Sequence, residues 1–256
     1  MSAAFTSTLV SSGFTPDTGP GHHRIGLITL SNDYACERDF NNAKPSDDVA
    51  LFVTRVENTP DCTVETLPLM APHIAKAAEL VIPKGRLDVM AYACTSGTVV
   101  MGYEKICSLI RATRPNIPVV TPITASLAAL DRFNAKKLAV LTPYTDDVNS
   151  AIATHLEQYG KMICAFTSFR IEDNEVMAAL PPEDILHGAI EADRPVAEAL
   201  FISCTAIRAL DVVERIEEAI GKPVVTANQA MIWQALRLSG CDQPVEGYGE
   251  LLRLKD

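Results

Sequence analysis

Cys94 and Cys204 occupy the same place in two copies of one pattern. The first copy reads Met90-Ala91-Tyr92-Ala93-Cys94-Thr95-Ser96-Gly97 and the second Ala199-Leu200-Phe201-Ile202-Ser203-Cys204-Thr205-Ala206. Downstream of each lies Pro-Val-Val-Thr, at 118–121 and 223–226, followed by an Ala-rich helical pattern. A repeated strand–Cys-Thr–helix–strand–helix unit implies two similar halves. Two thiols at equivalent strand ends could face each other across a cleft. Thiols on opposite sides of one carbon can carry a proton from one face to the other, or add to a double bond and leave again. The reactive form is the thiolate. A cysteine where a buried strand runs into a helix lies at that helix's positive end, which favours the charge. Thr95, Ser96 and Thr205 can cap such helices, and the adjacent backbone N–H groups can hold a carboxylate or a developing enolate.

The elements that must position these thiols follow from the apolar periodicity. Strands are expected at 24–30, 51–56, 87–93, 117–121, 137–141, 162–167, 199–203 and 224–226. Helices are expected at 70–80, 97–113, 125–133, 146–158, 182–192, 206–219 and 229–238. Continuous apolar strands alternating with amphipathic helices indicate an α/β fold with parallel sheets. Ligands in such folds sit beyond the carboxyl ends of the strands. Ser31–Asp33, Cys94–Ser96, Thr142–Tyr144 and Cys204–Thr205 all fall there. The chain has neither Gly-x-Gly-x-x-Gly nor a phosphate-binding Gly-Lys-Ser/Thr loop, so nucleotide cofactors lose support.

Composition narrows the partners. A net charge of −10 over 256 residues weighs against nucleic acid and leaves a small anionic substrate open. The odd count of 7 cysteines fits a reduced, cytoplasmic setting, which disfavours a Cys94–Cys204 disulfide. Cys36, Cys62, Cys107, Cys164 and Cys241 read as packing residues. His and Cys are not spaced as zinc ligands. No apolar run is long enough for a bilayer, and 1–23 read as a flexible leader without the features of a signal peptide.

The paired Cys-Thr motifs resemble those of the cofactor-independent aspartate/glutamate racemase superfamily. Leu141-Thr142-Pro143-Tyr144-Thr145-Asp146-Asp147-Val148-Asn149 and Glu172-Asp173-Asn174-Glu175-Val176 are similar to segments of its maleate cis-trans isomerase and arylmalonate decarboxylase branch. Ser31-Asn32-Asp33, Glu37-Arg38-Asp39-Phe40, Asp47-Asp48-Val49 and Phe201–Ala206 look most like the ectoine-utilisation proteins of that branch. The resemblance covers about residues 24–240. It implies two pseudo-symmetric Rossmann-like lobes, 24–122 with 227–256 and 123–226, and an active site in the cleft between them. It implies no metal, no pyridoxal phosphate and a homo-oligomer, dimeric or larger.

By the same resemblance Cys94 and Cys204 are the catalytic pair, with Thr95, Ser96, Tyr144, Asn174 and Thr205 binding substrate. In maleate isomerases the first thiol attacks the double bond and rotation follows in a succinyl-type adduct. In racemases the two thiols exchange a proton across the substrate. Arylmalonate decarboxylases have Gly in place of the first Cys. Ala206-Ile207 stands where amino-acid racemases often have His, which supports the isomerase branch. Asp33 is a departure, aligning with an Asn of the maleate isomerases. A carboxylate there would repel a substrate carboxylate, pair with an ammonium group, or serve as base to a thiol; helix or turn capping is the other reading. The expectation is a cofactor-independent isomerase or racemase of a small carboxylate or amino-acid derivative. A decarboxylase using Cys204 as proton donor and a non-catalytic binding relative are the alternatives.

Overall fold

The computed structural model describes residues 5–255. The first half contains β1 (His23–Leu30), α1 (Cys36–Asn42), β2 (Val49–Val56), α2 (Ala71–Leu80), β3 (Val89–Tyr92), α3 (Thr95–Met101), α4 (Tyr103–Arg111), β4 (Val119–Val120) and α5 (Pro122–Arg132). The second contains β5 (Lys137–Thr142), α6 (Asp146–Gln158), β6 (Met162–Ser168), α7 (Asn174–Ala179), α8 (Pro182–Ala192), β7 (Ala199–Ile202), α9 (Val213–Ile220), β8 (Val224–Thr226) and α10 (Ala227–Leu238).

These elements make two four-stranded sheets, ordered β2-β1-β3-β4 and β6-β5-β7-β8. All pairings are parallel. The two orders are the same, so β3 and β7 are equivalent strands, and their central positions explain their unbroken burial. The expected two-lobed α/β architecture is therefore present. The repeated Pro-Val-Val-Thr supplies β4 and β8. Its threonines, Thr121 and Thr226, each form a capping box at the start of the following helix, α5 and α10. Those two helices pack against each other, and α10 also touches β3 and β8, which joins the sheets.

Several local expectations are corrected. The single helix expected over 97–113 is two, because Gly102 sits at φ 89° and ends α3 before α4 begins. The helix expected from 206 does not form there. Cys204 lies at φ 104°, a short 3-10 turn covers Ala209–Asp211, and α9 starts only at Val213. Residues 203–207, 209, 210, 212 and 213 are buried, so the apolar run is filled by a loop threaded through the core rather than by one face of a helix. Two short helices carry no apolar period and escaped the sequence reading. The carboxylate of Asp33 accepts from Ala35 and Cys36 at the start of α1, and Asp173 caps α7 through Glu175 and Val176.

Of the expected leader, residues 1–4 lie outside the described residues, and 5–20 are exposed. His23 belongs instead to β1, with Nδ1 2.7 Å from the Ser239 carbonyl oxygen. No helix among the described residues is long and apolar enough to cross a membrane.

Candidate active site

A small cavity lies between the sheets, at the carboxyl ends of their strands. The segment after β1 contributes Leu30, and the loop after β2 contributes Asn58, Thr59, Asp61 and Cys62. Thr66, Leu67 and Met70 lead into α2, and Cys94, Thr95 and Ser96 follow β3. From the second half come Tyr144 after β5, Asn174 after β6, and Cys204, Thr205 and Ala206 after β7. Both repeated thiols and all the expected substrate-binding residues except Asp33 thus line one space.

Cys94 is the N-cap of α3, in extended backbone, and its Sγ accepts the Gly97 N–H at 3.2 Å. The lack of a side chain at Gly97 permits this approach. A Cβ there would lie 2.7 Å from Cys94 Sγ and 2.9 Å from Met70 Cε. Ser96 Oγ is 3.9 Å from Cys94 Sγ. The helix-start expectation therefore holds for Cys94. It fails for Cys204, whose sulfur is served by a tight turn: the Ala206 N–H donates at 3.4 Å, and the Ile207 N–H and the Tyr144 hydroxyl also favour its charged form. A non-glycine residue at φ 104° is strained, by roughly 1–3 kcal/mol, and persists only where its surroundings hold it.

Those surroundings are polar and, next to Cys204, buried. Thr205 Oγ1 donates across the cleft to the Ala93 carbonyl at 3.2 Å. Asn228 Nδ2 donates both to the Thr205 carbonyl at 2.9 Å and to Asp39 Oδ2 at 2.8 Å. Asp39 is paired in turn with Arg38, which also reaches Asp211. One hydrogen-bonded chain thus runs from α1 to the backbone just after Cys204.

Burial dominates the electrostatics. It pushes the Cys94 thiol up to about 12 and the Cys204 thiol up to about 11, each against the hydrogen bonds that favour a thiolate. Charge on Cys204 raises Cys94 further, and the Asp33 carboxylate raises both. Desolvation outweighs the helix end at Cys94 and the turn at Cys204, which act in the opposite direction.

Asp33 stands behind the wall rather than in it. It is buried, and burial raises its carboxyl to about 6. Oδ1 caps α1, as the second sequence reading allowed, whereas Oδ2 has no hydrogen-bond partner among the described residues. Tyr144 is buried, with its carbonyl held by Asn149 Nδ2 at 2.9 Å, so the segment that carries the resemblance also fixes the ring's backbone. Asn174 reaches the cavity, but its Nδ2 donates to the Pro60 carbonyl at 2.7 Å and the Thr59 carbonyl at 3.3 Å. It therefore ties the β2 loop to the second half, beside a bridge between Asp61 and Asp173. Thr95 Oγ1 is buried and has no partner among the described residues, so it is a donor available to a ligand.

Sequence reasoning missed Asn58, Thr59, Asp61 and Cys62. The signal was the repeat itself. The loop after β2 is the counterpart of the one after β6 that carries Asn174, and the two meet over the cavity. Cys62, read as packing, has its Sγ 3.5 Å from Ser96 Oγ.

The chain is similar to known proteins. A maleate isomerase of Alcaligenes faecalis is 27% identical over 175 residues, 65% of this chain and 69% of that protein. A maleate isomerase of Nocardia farcinica is 26% identical over 245 residues, 91% and 96% of the two chains. Among solved structures, a cysteine-to-serine mutant of the Nocardia farcinica maleate cis-trans isomerase with a covalently bound succinylcysteine intermediate superposes with a TM-score of 0.83. It is 22% identical, and the match covers 91% of this chain and 99% of that one. The sequence profile described as arylmalonate decarboxylase matches residues 74–252, well over half of the chain, including both cysteine motifs, and the protein belongs to that family.

Proposed function

We propose that this chain is a cofactor-independent isomerase that acts through Cys94 and Cys204 on a small unsaturated dicarboxylate of the maleate type. The observation that carries the reading is the convergence of two equivalent thiols, one from each sheet, on a single cavity lined by hydroxyls. The maleate isomerases among its relatives, one of them seen with a succinylcysteine, support the same chemistry.

In this mechanism Cys94 first releases its proton to solvent; its thiolate then adds to one alkene carbon, and the electron pair of the double bond moves to the neighbouring carbon, beside its carboxylate. Cys204 gives that carbon its proton, which leaves a succinyl thioether on Cys94 and a thiolate on Cys204. Rotation about the new single bond follows. Cys204 then takes the proton back, the carbon–sulfur bond breaks, and the trans alkene leaves with the Cys94 thiolate restored. The Thr95 and Tyr144 hydroxyls and the backbone N–H of Ser96 supply donors for the carboxylates and for the enolate-like charge. Their fixed placement in a dry site is what stabilises that charge. Thr205 and Asn174 hold the two loops in place through their cross-cleft bonds.

The test is proton NMR in deuterium oxide with maleate, aspartate, glutamate, and amino-acid derivatives of the kind formed in ectoine breakdown. Maleate should become fumarate, and Cys94→Ala and Cys204→Ala should each abolish turnover. Full activity of either variant refutes the two-thiol mechanism. The family match favours one further reading, a decarboxylase with Cys204 as proton donor; stoichiometric carbon dioxide release from a malonate-type substrate would establish it in place of the first. Cys94 speaks against it, because the resemblance puts Gly there in the decarboxylases. In the same proposal the two lobes divide at 122/123 and 226/227, the enzyme is a homo-oligomer, and it works in the reducing cytoplasm, in keeping with 7 cysteines that are all free.

A further inference from the structure

Cys62 is a third thiol in the cavity, and the two-thiol reaction leaves it without a task. It is buried, sits in the loop after β2, and is anchored by its own N–H, which donates to the Glu172 carbonyl at 3.0 Å. Its sulfur lies 3.5 Å from Ser96 Oγ, which lies 3.9 Å from Cys94 Sγ. The three groups form a line with the hydroxyl in the middle. A serine hydroxyl has a single proton to donate, so it can serve one sulfur at a time.

The ends of the line are unlike. Cys94 Sγ already accepts the Gly97 N–H at the start of α3, whereas Cys62 Sγ meets no backbone N–H among the described residues. A negative charge shared along the line therefore settles on Cys94. We propose that Cys62 is a positioning residue: its thiol donates to Ser96 Oγ, turns the Ser96 proton onto Cys94 Sγ, and so favours the Cys94 thiolate. Burial raises the Cys62 thiol even further than that of Cys94, so it stays a donor while Cys94 ionises. The long resting distances fit a site that tightens only when charge appears. The other titratable groups around the two sulfurs are Cys204, Asp33, Tyr92, Tyr144 and Asp147, and all are left intact by the changes below.

This inference rests on Cys94 being the reacting thiol, yet its test needs no substrate. The rate at which iodoacetamide labels Cys94, read by mass spectrometry of its peptide, is followed against pH in the full-length protein. Cys62→Ala should lower the labelling rate below the thiol pKa by about tenfold, one unit of pKa, as expected for one lost hydrogen bond to a charge. Cys62→Ser keeps a donor and should match or exceed the parent. In a Ser96→Ala background neither change at 62 should have any further effect, because the connection is already cut. Cys62→Ser and Ser96→Ala, singly and together, carry the test should Cys62→Ala fail to fold. Labelling within twofold of the parent in Cys62→Ala, or effects that multiply in the double variants, would overturn the relay and leave the two-thiol reaction standing. Full turnover by Cys94→Ala would instead remove the reaction itself.

Discussion

Gly97→Ala isolates the contact that makes Cys94 different from an ordinary buried cysteine. Judged by helix propensity alone, the change should stabilise α3, since Ala is favoured over Gly by about 1 kcal/mol within a helix. The packing says otherwise. The new methyl would start 2.7 Å from Cys94 Sγ and 2.9 Å from Met70 Cε, where ordinary contact begins at 3.4 Å. Met70 can swing its flexible end away. Cys94 Sγ must retreat by up to the difference between 2.7 and 3.4 Å, which stretches and weakens its 3.2 Å bond from the Gly97 N–H. Hydrogen bonds to charged groups contribute about 1.5–3 kcal/mol, or roughly one to two units of thiol pKa. The thiolate fraction at neutral pH, and turnover with it, should fall several-fold, up to about 100-fold at full loss of the bond, while the fold survives. The assay pairs pH-resolved alkylation of Cys94 with steady-state isomerisation of maleate and a thermal melt. Alkylation and turnover within twofold of the parent, in a protein that melts normally, would refute the idea that this N–H sets the reactivity of Cys94.

Other consequences follow from the buried polar groups. Burial raises the carboxyl of Asp39 to about 7 despite its bonds from Asn228 and Arg38. The folded chain therefore holds this proton where the unfolded chain has released it, and stability from this group falls as pH rises from about 4 to about 7. Asp39→Asn should remove that decline, by an amount of the order of a few kcal/mol, in urea unfolding curves compared at pH 5 and pH 7.5; an unchanged pH slope would contradict it. Asn228→Ala cuts the bond to the Thr205 carbonyl and leaves Asp39 without its amide, which should cost about 1–3 kcal/mol in chemical unfolding and lower kcat more than it raises KM. Asn174→Ala frees the β2 loop from the second half and should raise KM several-fold with a smaller change in kcat, the opposite split.

The limits of the sequence are clearest at the two cysteine motifs. Up to the thiol the copies behave alike, because each is an apolar run that forms a central parallel strand, β3 or β7, and strand periodicity is local information. Beyond the thiol they diverge. Thr95-Ser96-Gly97 has a glycine small enough to let the Cys94 sulfur cap α3, whereas Cys204-Thr205-Ala206 turns through a positive φ that Asn228 and Ala93 hold from distant parts of the chain. Such a conformation depends on partners far away in sequence, and no local pattern encodes it. Asp33 shows the same division: its place after β1 was legible, but its position behind the cavity wall depends on where α1 packs.

The sequence by itself determined the alternation of strands and helices, the internal repeat, and which two cysteines end equivalent strands, because each of these is written in residue type and spacing. Only the tertiary structure decided that a third cysteine joins them, that Asn174 spends its amide on a neighbouring loop, and that burial raises both thiols. Those are matters of burial and of contact between residues far apart in the chain. Desolvation in particular has no local signature, since it depends on everything that packs around a group once the two halves have closed over it.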